Sequence, residues 1–131
     1  MSGEHVLVVD DNPQNLKLAK IILTRAGYAV HTAVDAEDAL RQLQDFKPRL
    51  ILMDLQLPTM DGFELTRKLK ADAATADIAI VAVTAFAMES DRQRALAAGC
   101  DDYLAKPVDF EQLCTMAERH VRAPPDNNHH A

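Results

Sequence analysis

Two rhythms of apolar and polar positions run along this chain. Four short, unbroken apolar runs have the length and composition of buried strands. They are Val6-Leu7-Val8-Val9, Leu50-Ile51-Leu52-Met53, Ile78-Ala79-Ile80-Val81-Ala82-Val83 and Tyr103-Leu104-Ala105. Tyr28 to Ala33 alternates instead, as a strand at a sheet edge does. Between these runs the period lengthens to that of a helix. Asn12 is a good helix cap and Pro13 suits the first helical position. Leu16, Ala19, Ile22, Leu23 and Ala26 then keep helical spacing until Gly27 ends it. Asp35 caps a second helix with Ala36, Ala39, Leu40 and Leu43 inward. A third opens at Gly62 and runs to about Lys70, with Leu65 and Leu69 inward. A fourth, about Met88 to Ala98, is polar from Glu89 through Arg94 and has few anchors. The fifth, about Asp109 to Val121, carries the stripe Phe110, Leu113, Cys114, Ala117 and Val121.

Strands alternating with helices predict an α/β fold with a parallel sheet. The order 2-1-3-4-5, flanked by five helices, accounts for the pattern and leaves the less apolar second and fifth strands on the edges. One domain over residues 4–122 is expected. Residues 123–131, with two prolines and two histidines, lack periodicity and read as a flexible tail. Composition agrees with a globular chain: of 131 residues, 48% are hydrophobic and 26% charged. The net charge of −6 and the absence of a basic stripe argue against direct nucleic-acid binding. No apolar run approaches the ~20 residues of a membrane span, and no secretory signal precedes Val6, so the cytoplasm is the expected location. Cys100 and Cys114, without a CxxC or a nearby histidine pair, read as free buried thiols.

The chemistry sits where strands stop. Asp10-Asp11, Asp54, Thr84 and Lys106 each follow an apolar run. Parallel strands end on one edge, and ligands of open α/β sheets bind there. Three carboxylates gathered at one place repel and raise their proton affinity unless a cation joins them. A divalent metal of the Mg²⁺ class, which prefers oxygen ligands, resolves that conflict, and Lys106 does so in part. The loop after Asp54, punctuated by Pro58 and Gly62, can offer the metal a backbone carbonyl. An aspartate beside a metal can also attack phosphorus and form an acyl phosphate.

These pieces, in this order and spacing, resemble the receiver domains of two-component response regulators over residues 5–121. The carriers are Val8-Val9-Asp10-Asp11-Asn12, the stretch Leu52 to Gly62, Val83-Thr84-Ala85, and Gly99 to Pro107. The resemblance implies that Asp54 accepts a phosphoryl group from a phosphohistidine. It also implies that Mg²⁺ (or Mn²⁺) is bound by Asp11, Asp54 and the Gln56 carbonyl, and by Asp10 mainly through water. Thr84 and Lys106 would bind the phosphoryl oxygens. Tyr103 would be the switch aromatic, moving inward as Thr84 shifts and changing the surface of the fourth helix, fifth strand and fifth helix. Gln56 and Phe86 occupy the positions expected to tune acyl-phosphate lifetime, and the bond between Lys106 and Pro107 is a candidate for the cis form.

The implied partners are a sensor histidine kinase or histidine phosphotransfer protein upstream and an unknown protein target downstream. The stretch Val81 to Met88 and Cys100 look like single-domain cell-cycle regulators of the DivK type, and a stand-alone receiver is expected. The alternative is a receiver excised from a hybrid histidine kinase or a larger response regulator. On this reading the chain is a phospho-accepting switch, not an enzyme beyond phosphorylating and dephosphorylating itself. Two other classes fit poorly. An aspartate-nucleophile phosphatase wants a second acid where Gln56 stands. A flavodoxin-like cofactor binder wants a Ser/Thr/Gly-rich loop where Asp10-Asp11-Asn12-Pro13 repels phosphate.

Overall fold

The computed structural model describes residues 4–57, 60–85, 89–106 and 109–122. Pro58, Phe86, Met88, Pro107, the Phe110 side chain and the tail from residue 123, all invoked above, lie outside the described residues. The elements run β1 (His5–Val9), α1 (Pro13–Arg25), β2 (Ala29–Ala33), α2 (Ala36–Gln42) and β3 (Leu50–Asp54). They continue with α3 (Gly62–Ala71), β4 (Ala79–Thr84), α4 (Glu89–Ala98), β5 (Asp102–Ala105) and α5 (Phe110–Arg122). The strands form one sheet in the order β2-β1-β3-β4-β5, every pair parallel.

Helix starts follow local chemistry. The Asn12 side chain accepts hydrogen bonds from the backbone N–H groups of Gln14 and Asn15, and Pro13 fills the first position, where an N–H would have no intrahelical partner. Asp35 accepts from the Asp38 N–H and Asp61 from the Glu64 N–H in the same way. Loss of such a cap costs about 1 kcal/mol. Gly27, at φ 102°, takes the left-handed turn that lets the chain leave α1 for β2.

The sheet buries both faces. On one side Leu7, Val9, Ile51, Met53, Ile80 and Ala82 pack with residues of α2, α3 and α4. On the other, Val6, Val8, Leu50, Leu52 and Val81 pack with Leu16, Ile22 and Leu23 of α1 and Leu113, Met116, Ala117 and Val121 of α5. Alternate residues of each central strand therefore serve opposite cores, which is why their sequence reads as continuous apolar runs. β2, half-buried along most of its length, is an edge strand as its pattern predicts.

The structure corrects three details. Ala26 is exposed, because α1 ends at Arg25 and the chain turns before Ala26 reaches the core. Met116, absent from the expected stripe, is buried, whereas Cys114 at its margin is only half-buried. Both cysteines are free thiols, but only Cys100 is a buried one. The scarcity of anchors on α4 stands: Ala95 and Ala98 are its buried residues, and Arg94 lies 4.1 Å above the Phe63 ring of α3.

Candidate functional site: an acidic pocket at the strand ends

The sheet brings the acids of β1 and β3 to one edge. Val9 pairs with Met53, so the residues that follow, Asp10 and Asp54, leave neighbouring strands at the same level. Asp10 is fixed by its own N–H, which donates to the Ala33 carbonyl at 3.0 Å. Asp54 pairs with Val83 of β4, and Thr84 lies one residue further on. The Thr84 carbonyl in turn accepts from the Lys106 N–H at 2.8 Å, which fixes the end of β5. Each chemical group thus hangs from a strand end tied to its neighbour.

Asp10 and Asp54 are 6% and 4% exposed, while Asp11 is open to solvent. One carboxylate oxygen from each of the three lies within 4.8 Å of the others. The Lys106 Nζ donates to Asp54 Oδ2 at 3.1 Å and to Asp10 Oδ2 at 3.3 Å. The remaining oxygens are also engaged. Asp54 Oδ1 accepts from the Gln56 N–H at 2.9 Å, and Asp10 Oδ1 accepts from the Asn12 N–H at 2.9 Å. Asn15 Nδ2 donates to Asp10 Oδ2 at 3.2 Å. Sequence reasoning missed Asn15. The signal was available: it sits three residues after the Asn12 cap, on the turn of α1 nearest the acids.

Burial raises the proton affinity of the Asp54 carboxyl. The Gln56 N–H works against that shift, the Asp10 charge adds to it, and Lys106 opposes it, yet the balance leaves the pKa above its usual value. Burial pulls the Lys106 ammonium down, but Asp54 and Asp10 together outweigh it and its pKa rises. One ammonium therefore does not fully compensate the carboxylates around it. The donor set fits a hard divalent cation: three carboxylates converge, one of them open to water, and no soft ligand is among them.

Thr84 is 1% exposed at the end of β4. Tyr103 of β5 is half-buried against the core of the α2–α4 side. Burial raises its phenol pKa, and the charges of Asp91 and Glu89 add to the shift while Arg92 opposes it, so the ring neighbours the first turn of α4. The structure thus brings Asp10, Asp11, Asp54 and Lys106 together, sets Thr84 one strand over, and leaves Tyr103 apart from the acids, beside α4. A cavity of about 370 Å³ leads away from Asp10, Asn15, Asp54 and Lys106 between α1 and α5, floored by Leu52 and walled by Leu18 and Leu113.

Lys106→Ala tests this electrostatic account. It leaves two buried carboxylates without their shared cation. The loss should be about 2 kcal/mol in metal-free buffer at neutral pH, between the values of exposed and buried ion pairs because Lys106 is 23% exposed. The deficit should shrink as the pH falls and Asp54, its proton affinity raised by burial, takes up a proton, because the repulsion disappears with its charge. Urea unfolding of parent and variant across that range measures it; a deficit independent of pH contradicts the assignment.

Comparison with known proteins leads the same way. Residues 6–118 match the family model described as response regulator receiver domain. The chain is 40% identical over 103 residues to the polar-differentiation response regulator DivK of Brucella anthropi, covering 79% of this chain and 84% of that protein. It is similar in structure to the receiver domain of the sensor histidine kinase PA1611 from Pseudomonas aeruginosa, which has a magnesium ion coordinated in its active-site cleft. There the TM-score is 0.84 at 36% identity, over 92% of this chain and 99% of that one. A response regulator of Chloroflexus aurantiacus aligns with a TM-score of 0.88 at 29% identity, over 92% of this chain and 99% of its own. A strand-end acidic pocket, a 2-1-3-4-5 sheet and a family match over most of the length agree, and the chain belongs to the response regulator receiver domains of two-component phosphorelay systems.

Proposed function

We propose that Asp54 is the phospho-acceptor of this receiver, and that its phosphorylation is read through Thr84, Lys106 and Tyr103 at the surface of α4, β5 and α5. The observation that carries the proposal is Asp54 itself: a buried carboxylate, adjacent to two further acids and one lysine, at the mouth of an open cavity. A carboxylate oxygen of Asp54 attacks the phosphorus of a phosphohistidine. The new P–O bond forms as the P–N bond breaks, and the imidazole leaves with the electron pair. The Gln56 N–H holds Oδ1 and so orients the nucleophile. Lys106, already on Oδ2, stays in place to meet the charge arriving with the phosphoryl oxygens.

Asp10, Asp11 and Asp54, with the Gln56 backbone carbonyl, are the residues that would hold Mg²⁺. When bound, the ion neutralises charge on the transferring group. Thr84, at the end of the next strand, offers a hydroxyl to the phosphoryl oxygens. Its displacement would let Tyr103 move further inward. Tyr103 neighbours the acidic first turn of α4, a helix held by few buried residues, so that helix is the element such a movement would bias. The upstream partner is a histidine kinase or a histidine phosphotransfer protein, and the output is binding of a protein target. The likeness to the PA1611 receiver gives weight to a second setting, in which this domain serves a hybrid kinase; the pocket chemistry is common to both.

Incubation with acetyl phosphate and Mg²⁺ tests the core claim. The intact mass should rise by one phosphoryl group, and peptide mapping should place it on Asp54. No mass gain, or a gain mapped elsewhere, overturns the proposal.

A further inference from the structure

The opposite end of β1 carries a second cluster of chemistry. His5 opens β1 and His31 lies in β2. His5 pairs with Ala29 and Leu7 with His31, so the two histidines sit two residues apart in register and on the same sheet face. The His5 Nδ1 and His31 Nε2 are 2.9 Å apart. Their ring centroids are 5.1 Å apart and the planes are inclined by 27°. The nitrogen separation takes up most of the centroid distance, so the rings meet edge to edge with these nitrogens facing. Phe46, after α2, lies 4.0 Å from the His31 ring and 5.6 Å from that of His5, backing the pair from one side.

We propose that His5 and His31 form a second cation site, a two-imidazole chelate for a borderline divalent transition ion of the Ni²⁺, Cu²⁺ or Zn²⁺ class. The spacing suits it: nitrogens bound at ~2.0–2.1 Å to one ion stand roughly 3 Å apart, close to the observed separation. Binding one ion requires each ring to turn by roughly 45° from the facing arrangement, so that both lone pairs meet beside the line between the nitrogens; the pair is exposed, which leaves room for that turn. His31 is already held by Phe46. In the neutral pair one imidazole donates its proton to the other. On binding, that donor ring moves the proton to its other nitrogen, so both facing nitrogens become ligands without net proton release.

Among the described residues no third His, Cys, Asp or Glu joins the pair, so water completes the shell and the site is open and exchangeable. Imidazole ligands select against Mg²⁺, which keeps to oxygen. The fold would then separate two kinds of cation at the two ends of β1, hard ions beside Asp10 and softer ones at His5.

Calorimetric titration with Ni²⁺ near neutral pH tests this, with Mg²⁺ in large excess to occupy the acidic pocket. His129→Ala and His130→Ala are present in every sample to remove the tail histidines. One site is expected, and His5→Gln or His31→Gln should each weaken it by about tenfold or more, because each removes one arm of the chelate. His120→Gln, which alters the histidine beside Asp102, should leave it unchanged. Unchanged Ni²⁺ affinity in His5→Gln, or a loss confined to His120→Gln, overturns the proposal. Phosphoryl uptake from acetyl phosphate is the folding control, since His5 is exposed and remote from the acids.

Discussion

Asp54→Ala should take up no phosphoryl group from acetyl phosphate, and in metal-free buffer at neutral pH it should resist urea better than the parent. The first expectation rests on the proposed role of Asp54 as nucleophile; Asp10 and Asp11 remain but neither occupies its place at the end of β3. The second follows from linkage. The folded-state pKa of Asp54 is raised, chiefly by burial, so the folded chain binds its proton more tightly than the unfolded chain does. Its contribution is therefore fully present below the ordinary aspartate pKa of about 3.9. It is lost as pH rises from there through the folded value. At neutral pH the ionised carboxylate is a burden on the fold, and alanine removes it while Lys106 keeps its bond to Asp10. The gain should narrow as the pH falls towards 4. Urea midpoints of both proteins at several pH values decide the matter. A variant less stable than the parent at every pH would show that the Asp54 bonds to Gln56 and Lys106 outweigh its desolvation.

Gly62→Ala should cost about 3 kcal/mol, the upper end for forcing extra volume into a packed site. A methyl group at this position would lie 2.6 Å from the Asp54 carbonyl oxygen and 2.7 Å from the Leu55 Cα. Both are backbone atoms, and neither can swing aside as a side chain would. Gly62 also donates its N–H to the Leu55 carbonyl at 3.0 Å, so α3 starts directly against the end of the strand that carries Asp54. Helix propensity alone argues the other way, since alanine in place of glycine favours a helix by about 1 kcal/mol. The sign of the change therefore tells close approach from propensity. Displacing the Asp54 backbone would also disturb the proposed nucleophile, and uptake from acetyl phosphate should slow by about tenfold or more. Urea unfolding and time-resolved intact mass measure the two effects. A variant as stable as the parent would remove the packing argument.

Most of the architecture was legible in the sequence because two physical signals were strong. The central strands read as unbroken apolar runs since Val6 and Val8 serve one core while Leu7 and Val9 serve the other. Two helix starts were written in Asn12-Pro13 and Asp35, where the Asn12 and Asp35 side chains bond the N–H groups expected of caps; the third cap, Asp61, comes from the structure. Helix ends and stripe margins were less clear. Nothing in the spacing says that α1 stops one residue before Ala26, or that α5 turns Met116 inward in place of part of Cys114. The gathering of Asp10, Asp54 and Lys106 followed from strand polarity, because parallel strands end on one edge. The bond of Asn15 to Asp10 could have been read from its place three residues after the Asn12 cap, whereas that of His5 to His31 could not, because it depends on a strand register that periodicity does not carry. The histidine pair in particular required knowing that β2 lies beside β1 with Ala29 opposite His5.

The strand-end anchoring of Asp10, Asp54 and Lys106 also bears on how such a domain changes over generations. Its chemical groups hang from the sheet by backbone bonds that substitutions other than proline leave in place, such as those from Asp10 to Ala33 and from Lys106 to Thr84. Exposed residues away from the pocket, such as Ile21 on α1, are free of that duty. Surface positions can therefore drift, and a duplicated copy can acquire a new address, while the reaction it carries is inherited intact.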